Sequence, residues 1–209
     1  MSKKVRMVLA TQNKDKIKEI KRILGERFVV VKLKEFPEII ENGRTLEENA
    51  VKKAKAIFEI TKNVESEHTC SQQNIILADD SGLEVDALGG RPGVRSARFA
   101  GENCSYSDNN KKLLKLLKNV PYGKRKAKFR TIVAIIFPDG KIRITEGAVA
   151  GYIAMELKGE NGFGYDPLFY YPKLKKTYAQ LTITQKNEIS HRAIAFKKAS
   201  RAIEGLIGK

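Results

Sequence analysis

The chain has 209 residues, 42% of them hydrophobic, which is enough apolar side chain for one large domain or two closely joined lobes and argues against wholesale disorder. No apolar run reaches the ~18–20 residues of a bilayer span, and Val5–Ala10 falls short of the roughly 7–15 apolar residues of a signal peptide, so the chain reads as a cytoplasmic protein with no membrane partner. The formal net charge of +16 admits an anionic partner, either a polymer or a polyphosphate, although the lysines are scattered along the chain rather than gathered in one tract.

The order of elements is of the α/β kind. Val5–Ala10 is a short apolar run ending in the polar turn Thr11, Gln12, Asn13, and Ile17, Ile20, Ile23 and Leu24 follow at helical spacing. Phe28–Leu33 is rich in valine and reads as a strand, and Pro37–Arg44 as a loop. Thr45 with Glu48 three residues on is a capping-box signature, and Leu46, Ala50, Ala54, Ile57 and Phe58 mark the apolar face of the helix it opens. Residues 62–74 are polar and without period, the pattern of a surface insertion.

Ile75–Ala78 predicts a brief buried strand that stops at Asp79-Asp80-Ser81-Gly82. Asn110–Lys118 predicts a helix with leucines on one face. Ala127–Phe137 and Lys141–Ala150 flank Pro138-Asp139-Gly140 and predict a hairpin. A last helix runs from about His191, with Phe196, Ala199, Ile203 and Ile207 turned inward. There is no internal repeat and no linker. The expected fold is α/β: a mixed sheet flanked by helices in a single domain covering residues 1–209.

Four segments carry chemistry. Asp79 and Asp80 lie at the expected strand end, where α/β folds bind ligands. An aspartate there can ligate Mg²⁺, which takes one or two carboxylates plus substrate phosphates, or can accept a proton from water. A plain Asp-Ser-Gly turn is the alternative. Thr11, Gln12, Asn13, Lys14, Asp15 and Lys16 sit between strand and helix, where free N–H groups and lysines suit phosphate, although the segment lacks the glycines of a P-loop. Gly162, Phe163, Gly164, Tyr165 and Asp166 place two rings between glycines, a format for stacking on a base or for feeding aromatics into a core. Lys186, Ser190, His191 and Arg192 are donors to oxygen within one or two helical turns. Cys70 and Cys104 have no metal-ligand spacing and read as free thiols.

Taken in order, Leu9–Asn13 with Lys16, Glu41–Ala50, Ala78–Leu83, Leu88–Val94, Ser96–Gly101, Gly162–Phe169 and Ile189–Arg192 resemble the inosine triphosphate pyrophosphatase family across nearly the whole chain. The resemblance implies a twisted mixed sheet in two lobes with a central cleft, usually as a homodimer. It also implies hydrolysis of non-standard purine nucleoside triphosphates (ITP, dITP, XTP) to the monophosphate and pyrophosphate.

By this resemblance Asp80 would match the family's catalytic carboxylate, which also contacts Mg²⁺, and Ser81 the adjacent substrate contact. Thr11 to Lys16 would line the phosphates. Phe163, Gly164, Tyr165, Asp166, Lys186, His191 and Arg192 would hold the nucleotide and its base. A second metal contact comes from an upstream glutamate, for which Glu38 and Glu41 both qualify. Gln12 and Asn161 depart from the small residues common at those places, and residues 62–74 form a longer segment than usual. Two other readings are a pyrophosphatase for a different damaged nucleotide and a nucleic-acid-binding module, the latter resting on charge without a standard binding motif.

Overall fold

The computed structural model of the chain describes residues 4–31, 33, 36–65 and 74–207. In chain order the main elements are β1 (Val5–Leu9), α1 (Lys14–Leu24), β2 (Phe28–Val31), α2 (Leu46–Glu65), β3 (Ile75–Val85), β4 (Pro92–Gly93), α3 (Tyr106–Leu116), β5 (Lys126–Ile136), β6 (Ile142–Ile153), β7 (Phe169–Tyr171), β8 (Lys176–Thr177), α4 (Ile183–Ile189) and α5 (His191–Ile207). The hydrogen-bonded order is β2-β1-β3-β5-β6-β7-β8, with β4 on β3. Pairing is parallel at β1–β2 and β1–β3, and antiparallel at β3–β4, β6–β7 and β7–β8. The fold is therefore the expected α/β mixed sheet flanked by helices. Among the described residues no helix is long and apolar enough to cross a membrane.

The chain divides into two compact units. The first comprises Met1–Asp80, Ile132–Glu146 and Ile194–Lys209; the second comprises Ser81–Thr131 and Gly147–Ala193. In the first, Val5, Met7 and Leu9 of β1, Ile75 and Leu77 of β3, and Val133 and Ile135 of β5 share a core with Ile20 and Leu24 of α1 and Phe196, Ala199 and Ile203 of α5. The intervening residues Val8, Ile76, Ala78, Ile132, Ala134 and Ile136 are buried as well. Strands covered on both faces become continuous apolar runs rather than alternating ones. Helix α2 buries Leu46, Ala50, Ala54 and Ile57.

The second unit has a different character. There β5 alternates exposed Lys126 and Lys128 with buried Ala127 and Phe129, so one face of the strand meets water. Phe129, Phe169 and Tyr178 form its aromatic core, with ring centroids 4.6 Å apart at Phe129–Phe169 and 4.8 Å at Phe169–Tyr178. Arg125 is fully buried and donates to the carbonyls of Leu117 (2.6 Å), Val120 (2.8 Å) and Ala154 (3.1 Å), which ties the end of α3 to the end of β6.

Several elements differ from expectation. β3 does not stop at Ala78 but continues through Val85. Asp, Ser and Gly favour turns because their side chains compete for the backbone or leave it free; here Asp79 and Asp80 find partners on neighbouring helices and the ladder runs on. β2 ends at Val31 rather than Leu33. α3 starts earlier, where Ser105 and Asp108 form a capping box. α4 was not anticipated; Thr182 and Gln185 cap it in the same way. The hairpin turn is as read: the Gly140 N–H donates to the Phe137 carbonyl at 2.9 Å, with Gly140 at φ 80°. Of the 62–74 segment, Lys62–Glu65 belongs to α2, whereas 66–73, with Cys70, lie outside the described residues.

Candidate active site

Two consecutive residues of a strand point to opposite faces, and this separates Asp79 from Asp80. Asp79 meets the Lys16 ammonium at 3.1 Å. Asp80 accepts a hydrogen bond from Asn49 Nδ2 at 3.1 Å and lies 3.8 Å from the Lys53 ammonium. Each partner comes from a different helix, α1 for Asp79 and α2 for Asp80, so the two carboxylates serve different neighbours.

Lys16 is presented by a capped helix start. Asn13 Oδ1 accepts the N–H groups of Asp15 (3.0 Å) and Lys16 (3.1 Å), and Thr11 Oγ1 accepts the N–H of Asn13 at 3.2 Å. These bonds shape the loop and open α1. Gln12, Lys14 and Asp15 are exposed, while Lys16 is turned in toward Asp79.

Asn49 and Lys53 are the residues that reading the sequence did not single out. They stand at i and i+4 on the same helix face as Leu46, Ala50, Ala54 and Ile57, and both are buried. An amide and an ammonium on a core-facing stripe were the available signal, since such groups are rarely buried without a partner. Asn49 Oδ1 accepts the Gly43 N–H at 2.8 Å while its Nδ2 serves Asp80. A Cβ at Gly43 would lie 2.6 Å from that oxygen and 2.9 Å from Glu48 Cβ, so a side chain there would displace the Asn49 amide. Lys53 bridges Asp80 to Glu41, whose carboxylate is 3.0 Å away. Glu41 thus joins the cluster; Glu38 is exposed and stands in none of these pairs.

Burial pulls the Lys53 ammonium down, but Asp80, Asp79 and Glu41 outweigh it, and its pKa ends above the usual lysine value. Burial raises the Asp80 carboxyl; Lys53 and Lys16 pull it down, Glu41 raises it, and the balance is upward. Three carboxylates (Glu41, Asp79, Asp80) face two ammonium groups (Lys16, Lys53), an excess of one negative charge within this set. Among the described residues no group of three or more His, Cys, Asp or Glu side chains is placed to cage a metal alone. The donors fit a hard cation that shares one or two carboxylates with substrate oxygens, the habit of Mg²⁺.

The second unit holds the remaining expected residues. Asp166, buried, ties the Gly162–Asp166 turn by accepting the Phe163 N–H at 2.8 Å and pairs with the Lys186 ammonium. Gly162 has φ 76°, and a Cβ there would come within 2.1 Å of Asp166 Oδ2. Asn110 Nδ2 holds the Gly164 carbonyl at 2.9 Å, and the Tyr165 hydroxyl donates to the Ser96 carbonyl at 2.9 Å. Burial, and then the nearness of Cys104, push the Tyr165 phenol up, so it remains a donor.

Phe163 has the Lys186 ammonium 4.9 Å and the Arg192 guanidinium 5.4 Å from its ring centroid, within cation–π range. His191 stacks on Phe129 at 4.5 Å and 11°. Arg192 Nη2 donates to Ser81 Oγ at 3.1 Å. Thr11 to Lys16 therefore lie in the first unit with Asp80, and Ser81, Phe163 to Asp166, Lys186, His191 and Arg192 in the second.

The model of the Ham1 family matches residues 7–202. This chain belongs to the Ham1 family. It is 50% identical over 206 residues to the dITP/XTP pyrophosphatase of Desulforamulus reducens, covering 97% of each chain. It is 45% identical to the protein of that name from Bacillus subtilis, covering 94% of this chain and 96% of the relative. Among solved structures, the Ham1 protein of Staphylococcus aureus superposes with a TM-score of 0.80 at 40% identity, covering 96% of this chain and 98% of the other. The HAM1 protein of Coxiella burnetii gives 0.80 at 35% identity, covering 96% and 99%.

Proposed function

We propose that the chain is a nucleoside triphosphate pyrophosphatase that hydrolyses non-standard purine triphosphates, of the ITP, dITP and XTP type, to the monophosphate and pyrophosphate. The observation that carries the reading is the setting of Asp80 in a Ham1 chain: a buried carboxylate with a raised pKa, fixed by Asn49 and Lys53. Relatives about half identical over nearly the full length, named dITP/XTP pyrophosphatases, support the substrate class.

Asp80 and Glu41 are the residues that would hold Mg²⁺. When bound, the ion offsets phosphate charge and polarises the attacked phosphoryl group. Asp80 orients a water and takes its proton as the water oxygen bonds the α-phosphorus; the α–β anhydride bond breaks, and its electron pair leaves with pyrophosphate. Lys16 and Lys53 supply positive charge to the phosphates, with the α1 start as a further donor.

In the second unit Phe163 supplies a stacking face and Lys186 and Arg192 supply donors, with His191 as the neighbouring ring. A 6-keto purine accepts from such donors, whereas adenine presents a 6-amino group, donor against donor, and leaves buried groups unpaired. A homodimer and a cytoplasmic nucleotide pool complete the reading, supported by the family resemblance.

The test is a panel of ITP, XTP, dITP, GTP and ATP with Mg²⁺, scored for pyrophosphate against orthophosphate. Pyrophosphate from the 6-keto, 2-unaminated substrates is expected. Equal rates across the panel would end the specificity claim, and orthophosphate as direct product would mean that another bond is cut.

A further inference from the structure

Thr131 is the polar interruption in the buried part of β5. Ile132, Val133, Ala134, Ile135 and Ile136 follow it, all buried, and Thr131 itself is 0% exposed. A hydroxyl in such a place is worse than a methyl unless it is hydrogen-bonded. Its partner is Ser81 on the neighbouring strand β3: the two hydroxyl oxygens are 2.7 Å apart. Ser81 Oγ also accepts from Arg192 Nη2 at 3.1 Å. A guanidinium only donates, so the direction of that second bond is fixed. A serine hydroxyl turns freely about its own bond; a second oxygen at 2.7 Å on the neighbouring strand restrains that rotation, whichever of the two hydroxyls donates, and with it the position of the Ser81 oxygen that accepts from Arg192. The Phe163 ring, 5.4 Å from the guanidinium, lies against the same side chain.

We propose that Thr131 is a positioning residue for nucleotide recognition: from its buried seat in β5 it sets the Ser81 hydroxyl, and Ser81 in turn aims the Arg192 guanidinium that receives the base. The inference deepens the proposed function and rests on it. It also gives a reason for threonine where valine has the same shape and a higher affinity for the core.

The test is steady-state hydrolysis of ITP by the full chain carrying Thr131→Val or Thr131→Ser, with thermal midpoints measured alongside. Thr131→Val should raise KM about 3- to 10-fold, the scale of one hydrogen bond, with kcat nearly unchanged. Thr131→Ser, which keeps the hydroxyl, should restore KM. In an Arg192→Lys background, Thr131→Val should add nothing further to KM, because the group it aims is gone. A wild-type KM in Thr131→Val overturns the inference. So does a matched fall in kcat and thermal midpoint in both variants, which would mark Thr131 as packing only. Wild-type protein that releases no pyrophosphate from any 6-keto triphosphate would overturn the proposed function and this inference together, whereas active wild type with an indifferent Thr131→Val variant overturns the inference alone.

Discussion

Asp80 is surrounded by opposing influences, and that balance makes single substitutions informative. Burial is the largest of them and lifts its pKa, while Lys53 is the largest force the other way. Asp80→Asn keeps the shape and loses the proposed base, so kcat for ITP should fall by about 10²–10⁴, the usual scale for a lost acid–base group; near-normal turnover would remove Asp80 from the chemistry. Lys53→Met removes the chief downward pull, so the acid limb of the kcat/KM profile should move to higher pH. It also strands a buried carboxylate, at a cost of about 3 kcal/mol, the low end for a broken buried pair because Glu41 is a third exposed.

The sign of the Lys53 linkage follows from its raised pKa. Its stabilising contribution is fully present below the ordinary lysine value of 10.5 and is lost as pH rises through the higher folded value. The gap in thermal midpoint between wild type and Lys53→Met should therefore be constant from neutral pH to about 10 and narrow above it. A gap that already narrows near pH 8 would mean that Lys53 does not hold its proton as described. Lys53 and Asn49 were legible only as polar residues on an apolar stripe. No local motif announces them, because their partner Asp80 lies about thirty residues away and only folding brings the groups together.

Helix periods and caps carried most of the element assignment: Ile20 and Leu24, the Thr45 start and the His191 start each have local chemical causes. β3 escaped that logic. Its Asp-Asp-Ser-Gly centre has turn chemistry, and only tertiary partners keep it extended, which a single-sequence pattern does not contain. α4 and the start of α3 had cap signatures, but neither is long enough to show a period. Arg125 illustrates the same dependence on tertiary partners. It serves three carbonyls from two chain segments, two of them just past the end of α3. Arg125→Met should leave those carbonyls unserved and cost about 3 kcal/mol or more, since bonds to charged groups are each worth about 1.5–3. Urea unfolding should show a lower midpoint with an unchanged slope; an unchanged midpoint would make the guanidinium dispensable.

At the scale of the whole molecule, a net charge of +16 is a property no single contact explains. A field of that sign raises the encounter rate of a triphosphate and weakens as salt shortens the Debye length, about 8 Å at physiological ionic strength. kcat/KM for ITP should fall several-fold between about 50 and about 500 mM monovalent salt while kcat stays level; a flat kcat/KM would reduce the charge to a matter of surface composition. Fold class and family were legible because seven motif segments run in order along the chain. The strand order was not, because β1 pairs with β2 and β3 by parallel crossovers whose register depends on contacts distant in sequence.

The opposed directions of Asp79 and Asp80 in β3 have a consequence for how such a chain can vary. Replacing a neighbour leaves each carboxylate at its own address, on the α1 or the α2 side. Deleting or inserting one residue between β3's fixed pairing with β1 and these aspartates would turn both over and deliver each acid to the other's lysine. Between the β1 pairing and the two aspartates, residue count therefore decides which lysine each acid meets, whereas a swap of one apolar side chain for another leaves both directions as they are.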